Sequence, residues 1–272
     1  IGNINNNLDF QINIQNVNGD NYLKKHNLKK NSLLIKDDNL LLSNLDLNWE
    51  LDDSSFSTSF KILEDLSRSQ RDRFQYIFPY FNFSKDVKIP YNYNGNFKFN
   101  TSGYNKNYNT NVTESVLTND FLYSSNQFLN TKGILSSYEL LLKNNNSYSK
   151  NSSNFKENGN YDLFGIVKFD SSLPMAKINS DYTNYLTPRI SFRYSPNGNS
   201  DISSRNILLN YNNVFSLNRI GADSEVEGGE SLSLGLEFKK DNFEGYNNFD
   251  LKIANNLRFN ENRQLPSKSK LN

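Results

Sequence analysis

A two-residue rhythm constrains this chain more than any other feature: Leu45, Leu47, Trp49 and Leu51 alternate with Asp46, Asn48, Glu50 and Asp52. Successive side chains point to opposite sides only in a strand, so the pattern writes one apolar face and one polar face. The beat returns at Phe97 and Phe99, at Ile190, Phe192 and Tyr194, at Leu232, Leu234, Leu236 and Phe238, and at Phe249, Leu251 and Ile253. Many such strands in one chain predict a large antiparallel sheet.

Runs bounded by Gly, Asn, Asp, Ser and Pro predict about ten to twelve strands. They fall near residues 8–17, 40–52, 55–63, 74–84, 95–104, 110–124, 134–143, 160–170, 187–195, 205–212, 230–240 and 246–259. The mean hydropathy of -0.73 and the abundance of Asn would, alone, suggest disorder. An aromatic content of 14%, placed on alternating positions, argues against it. The 272 residues suffice for one all-β domain, since sandwiches and barrels of roughly 200 to 250 residues fold as single units.

Thirty basic residues against 29 acidic ones leave no field to recruit nucleic acid. The absence of Cys removes disulfides, thiolate chemistry and sulfur-ligated zinc, and the single His26 disfavours a histidine metal or proton-transfer site. No run approaches the ~18 apolar residues of a membrane helix; a chain of this kind enters a membrane as strands. Several predicted strands exceed the ~5 to 6 residues of soluble sheets and match the ~9 to 11 of a tilted membrane strand. Polar connections at residues 144–160 and 195–204 suit loops outside a bilayer. Together these features predict an all-β fold, an antiparallel transmembrane β-barrel present in part. Starting at Ile1, the chain reads as an excerpt of a longer protein.

In that barrel Leu45, Leu47, Trp49, Leu232, Leu234 and Leu236 face lipid, while Asp46, Asn48, Glu50, Arg189, Arg193, Ser233 and Glu237 face the lumen. Charge at Leu234 or Leu236 is then expected to cost about 2 to 4 kcal/mol, and charge at Ser233 to be tolerated. Trp49, Tyr80, Tyr104, Tyr123 and Tyr194 fit an aromatic girdle. The same alternation also fits a soluble β-sandwich that binds carbohydrate, with the aromatics in its core and on its binding platforms.

Few residues suggest chemistry. Glu225, Glu227 and Glu230 form an acidic patch around Gly228 and Gly229, which reads more simply as a turn entering a strand than as a cation or acid/base site. Asp52 and Asp53 carry no pocket logic for a glycosidase pair. Lys24, Lys25, Lys29 and Lys30 around His26 read as a solvated turn before a phosphate grip. Residues 65–73, with Arg68, Arg71 and Arg73 against Asp65 and Asp72, form a charged loop tip or short helical turn.

The run carrying Phe215, Asn218, Arg219, Gly221, Asp223, Glu225, Glu227, Gly228 and Gly229, followed by the strand 231–238, resembles the barrel of the LptD family of outer-membrane lipopolysaccharide-assembly proteins. Weaker pieces follow the family order: Tyr22 to Lys24, Asp72 to Tyr76 with Pro79, Leu173-Pro174, Leu186 to Arg189 with Tyr194 to Pro196, Asn255 to Phe259, and Leu265 to Ser269. The resemblance implies that residues 1–272 are the central part of a larger barrel, with a periplasmic jellyroll and closing strands elsewhere. It implies lipopolysaccharide as cargo, an LptE-like lipoprotein plug, an LptA-like periplasmic bridge and the outer membrane of a Gram-negative cell. Transport of this kind needs no catalytic residue, cofactor or metal, so the chain is not expected to be an enzyme. Another outer-membrane barrel, a porin or nutrient receptor, is the competing reading. Within the motif, Gly228 or Gly229 is expected in a backbone conformation closed to other residues, and Arg219 is expected to pair with Asp223 or Glu225.

Overall fold

The computed structural model describes residues 2–5, 7–31, 37–88, 94–155, 157–196, 203, 206–220, 226–242 and 247–266. Fourteen strands form one antiparallel sheet: β1 (Gly2–Asn5), β2 (Leu8–Asn13), β3 (Leu40–Leu51), β4 (Ser54–Asp65), β5 (Phe74–Val87), β6 (Gly95–Tyr108), β7 (Val112–Ser125), β8 (Phe128–Leu129), β9 (Leu135–Lys150), β10 (Asn158–Ser172), β11 (Met175–Ile178), β12 (Tyr182–Ser195), β13 (Gly229–Asn242) and β14 (Asn247–Arg258). Twelve follow one another in sheet order, while β8 adds to β9 and β11 to β12. Among the described residues two short helices, α1 (Tyr22–Lys25) and α2 (Leu28–Asn31), lie between β2 and β3. No helix among the described residues is long and apolar enough to cross a membrane.

The chain divides into two compact units. In the first (residues 1–87, 98–120 and 144–162), Leu23 of α1 packs with Leu41 and Leu66 against Val17 and Leu28. Arg73 ties this corner by ion pairs to Glu64 at 2.6 Å and Asp20 at 2.7 Å. The charged tip at 65–73 is therefore a turn stapled to its neighbours. Lys24, Lys25, Lys29 and Lys30 sit in the last turns of these two one-turn helices. β3 and β4 pair so that Asp46 faces Ser59 and Leu47 faces Thr58. A bulge separates Ser59 from Lys61 where β4 meets Phe78 and Pro79, because proline has no N–H to offer the ladder.

In the second unit (residues 88–97, 121–143 and 163–272), β12, β13 and β14 run in unbroken register over most of their length. Pro188 sits opposite the interruption between β10 and β11, and its carbonyl still accepts from the Leu173 N–H at 3.1 Å. Its missing donor thus falls where the neighbouring ladder is already broken.

Two predicted elements are corrected. Of residues 144–160, expected as a loop, 144–150 lie in β9 and 158–160 in β10, with Asn145, Ser147 and Ser149 buried on the polar face. Asn and Ser are poor strand formers by composition, but side-chain bonds such as Thr118 Oγ1 to Asn145 Oδ1 at 3.0 Å satisfy them there. Conversely, the described part of 205–212 is not a strand. Ile207 and Leu209 alternate in a non-repetitive segment that packs on Ile220 and Leu265.

The distribution of polarity is inverted relative to a water-soluble sheet. Along β12, Ser191, Arg193 and Ser195 are 4%, 3% and 1% exposed, while Ile190, Phe192 and Tyr194 are 43%, 39% and 38% exposed. Leu234 and Leu236 on β13, and Leu251, Ile253 and Leu257 on β14, are exposed in the same way. Burying one such side chain is worth about 1.5 to 3 kcal/mol, so an apolar face left uncovered across consecutive strands is matched to a medium other than water. A soluble sandwich would oppose two such faces and bury them.

Candidate functional site: an arginine cluster under the polar face

Strand register alone assembles the floor of this site. Arg193, Ser231 and Arg258 lie in one row across β12, β13 and β14, with Ser191, Ser233 and Asn256 in the next row and Arg189, Gly235 and Ala254 beyond. Residues 206–220 and 226–228, from the connection between β12 and β13, fold back over these rows. Phe215 drops onto Gly235, where a Cβ would stand 2.5 Å from the ring, and the Arg189 guanidinium lies 4.3 Å from the Phe215 centroid. Only glycine leaves that ring a seat.

Glu227 is the anion at the centre, with 0% exposure. Its carboxylate accepts from Arg219 Nε at 2.8 Å and from Arg219 Nη2 and Arg258 Nη1, with Arg193 Nη1 at 3.9 Å. The bidentate Arg219 contact is the strong form of this pair. Arg219 also donates to Ser231 Oγ at 2.7 Å and to Asn256 Oδ1. Arg258 Nη2 donates to the Gly228 carbonyl at 2.7 Å, and Arg193 Nε to the Leu217 carbonyl at 2.7 Å. Burial alone would push the Glu227 carboxyl up; the charges of Arg219, Arg193 and Arg258 and the Arg219 hydrogen bond outweigh it and hold the group below the ordinary carboxylate range. Beneath the same segment, Val226 packs with Phe164 and Ile166 against Leu141 and Leu217.

Several sequence expectations meet here. Phe215, Asn218, Arg219, Glu227, Gly228 and Gly229 converge on this patch, while Gly221, Asp223 and Glu225 lie outside the described residues. Gly229 does adopt a left-handed backbone, with φ of +91°. Among the described residues the carboxylate holding Arg219 is Glu227; the partners expected for it, Asp223 and Glu225, fall outside those residues. Glu227 is thereby committed to arginines. Among the described residues no three His, Cys, Asp or Glu side chains converge as metal ligands.

The expectation that Ser233 tolerates charge is overturned: its Oγ is buried within reach of Val214 O at 3.2 Å, Asn256 Oδ1 at 3.0 Å and Arg219 Nη1 at 3.4 Å. Arg193 and Arg258 were missed as partners of the motif because they come from strands distant in sequence. Glu237 and Arg189 also meet the folded-back segment or strand neighbours, Glu237 through Tyr211 at 3.4 Å and Lys252 at 3.4 Å. In the first unit, Asp46 bonds Asn44 and Ser59 on the face it shares with Asn48 and Glu50, and Leu45, Leu47 and Trp49 share the other face. Tyr104 occupies the same face as Tyr108, which donates to buried Glu114 at 2.7 Å, so it stands apart from the exposed Tyr80 and Tyr194 of the expected girdle.

The model of the family "LPS transport system D", LptD, matches residues 2–272. The chain belongs to the LptD family. No curated protein sequence matches it. LptD is a family of lipopolysaccharide transport in the Gram-negative outer membrane and not a family of enzymes. Its outer-membrane, β-barrel setting accounts for the inverted polarity of the sheet.

Proposed function

We propose that residues 1–272 are part of the wall of an LptD-type β-barrel translocon that inserts lipopolysaccharide into the outer leaflet. The observation that carries the reading is the exposed apolar face against a polar face of buried charges and amides. In this reading Leu45, Leu47, Trp49, Leu232, Leu234 and Leu236 contact lipid. Asp46, Asn48 and Glu50 line the hydrated interior, and Arg189, Arg193, Ser233 and Glu237 face inward behind the segment ending at Glu227. An interior with both charge signs hydrates a saccharide without trapping ions of either sign. The rest of the barrel, the periplasmic jellyroll, an LptA-like bridge and an LptE-like plug complete the machine from outside these residues.

The test is photocrosslinking in the full-length protein, with probes at Asn48 and Glu50 on the polar face and at Leu234 on the apolar face. Lipopolysaccharide adducts at Asn48 or Glu50 during active transport are expected. Their absence, with a folded barrel and with surface lipopolysaccharide unchanged on depletion, would assign the chain to a general porin or receptor.

A further inference from the structure

The ends of β7, β9 and β10 carry a second feature, an open groove. On the face that presents Leu117, the strands change character towards the β9–β10 connection. There Tyr148 and Tyr161, 50% and 67% exposed, flank an open groove of 380 Å³ together with Ser115, Leu117, Asn146 and Gly159. A Cβ at Gly159 would meet nothing within 4 Å, so the groove floor is open at that point. Ser115 Oγ and the Asn146 amide are tied to neighbours on the same face, Asn105 at 3.2 Å and Asn144 at 2.7 Å, which holds them in place with bonding capacity left over. Among the described residues neither tyrosine hydroxyl has a hydrogen-bond partner and no charged side chain lines the groove.

We infer that this groove binds the saccharide head group of a glycolipid in the membrane around the barrel. Two exposed phenol rings supply flat apolar platforms with a polar edge, and the neighbouring amide and hydroxyl supply directional bonds. An uncharged lining fits a neutral sugar and gives a phosphate or a carboxylate no counter-charge. Leu117 of the exposed apolar face lines the groove, so a ligand whose tails lie on that face brings its head group to the tyrosines. Within this unit the longest connection, residues 14–39, leaves at the same end as the β9–β10 connection, opposite the two-residue turn at Asp52 and Asp53. Long connections mark the outer side of an outer-membrane barrel, which is the glycolipid side. This inference rests on the membrane reading above, but not on transport.

The experiment uses the full-length protein in phosphatidylethanolamine/phosphatidylglycerol nanodiscs doped with purified lipopolysaccharide, with a photocrosslinker at Asn105 beside the groove and a control crosslinker at Leu251. At Asn105, adducts of lipopolysaccharide over phospholipid are expected to exceed the mole ratio by about tenfold, the discrimination that two neutral hydrogen bonds supply. At Leu251 they should follow the mole ratio. Tyr148→Ala/Tyr161→Ala should abolish the enrichment, and Tyr148→Phe/Tyr161→Phe, which keeps an aromatic belt, should reduce it. Displacement by the free core oligosaccharide would identify the sugar alone as sufficient; enrichment that resists it would identify the membrane-anchored form. Adducts at the mole ratio, or enrichment unchanged in the double Ala variant, would overturn the inference and leave an interfacial anchor. Surface lipopolysaccharide on depletion, measured separately, reports on transport, so the two readings fail independently.

Discussion

Replacing Glu227 by Gln removes one charge and almost no volume from a site with 0% exposure. Its carboxylate is the only anion among the described residues that contacts Arg193, Arg219 and Arg258. Breaking a buried ion pair by neutralising one partner costs about 3 to 5 kcal/mol, because the remaining charge stays desolvated. Part of that is retained here: Arg219 keeps Ser231 and Asn256, Arg258 keeps the Gly228 carbonyl, and the Gln amide keeps one acceptor oxygen. The expected loss is therefore about 2 to 4 kcal/mol. The assay is urea unfolding of the full-length protein in lipid vesicles, followed by the mobility difference between folded and unfolded barrel. Glu157→Gln, in an exposed turn, is the control. A double cycle with Arg219→Gln should show coupling of about 1 to 3 kcal/mol, the two losses together falling short of their sum. A Glu227→Gln variant within about 0.5 kcal/mol of the control would refute the central role of this carboxylate.

The same group predicts a pH dependence. Its folded pKa lies below the ordinary 4.5, so its contribution is complete above that value and is lost as pH falls through the folded pKa. Acid unfolding of the wild type should be steeper there than that of Glu227→Gln; equal curves would count against the ion cluster. Gly235→Ala should destabilise by about 1 to 3 kcal/mol through overlap with Phe215, and Phe215→Leu should recover most of the loss. No recovery would mean that the glycine serves another purpose. Leu234→Arg should weaken membrane folding by about 2 to 4 kcal/mol through lipid contact. Ser233→Arg should also be destabilising, through crowding of Arg219 and Asn256. Tolerance at Ser233 alone would show that the connection does not occupy that face.

Legibility in the sequence followed the range of the forces involved. β13 could be read from Leu232, Leu234 and Leu236 because alternation is local, and its face assignment needs no knowledge of the rest of the chain. The Asn-rich stretch at 144–150 could not, since what keeps Asn145 in a strand is Thr118 on another strand. Ile207 and Leu209 misled in the opposite way: their spacing of two comes from packing on Ile220 and Leu265 in an irregular segment. At the candidate site, the motif from Phe215 to Gly229 stood out as a unit. Its ionic partners did not, because Arg193 and Arg258 reach Glu227 only through the pairing of β12 with β13 and of β13 with β14. The Gly-Gly pair was the one available hint of an unusual backbone beside Glu227, and Gly229 does take the left-handed conformation.

That three-strand row at Arg193, Ser231 and Arg258 has a consequence for how the wall is proofread during assembly. Strands of alternating polarity can slip by one residue while keeping every main-chain bond, so hydrogen bonding by itself does not police alignment. A one-residue slip of β14 would turn Arg258 onto the bilayer side and bring Leu257 against Glu227. The misaligned wall would then carry a cation in hydrocarbon and an anion short of a partner, each costing several kcal/mol. Because Glu227 gathers side chains from two strands that do not touch each other, it reports on two seams at once. The cluster thus acts as an alignment key, closed only when β12, β13 and β14 have all found their proper neighbours.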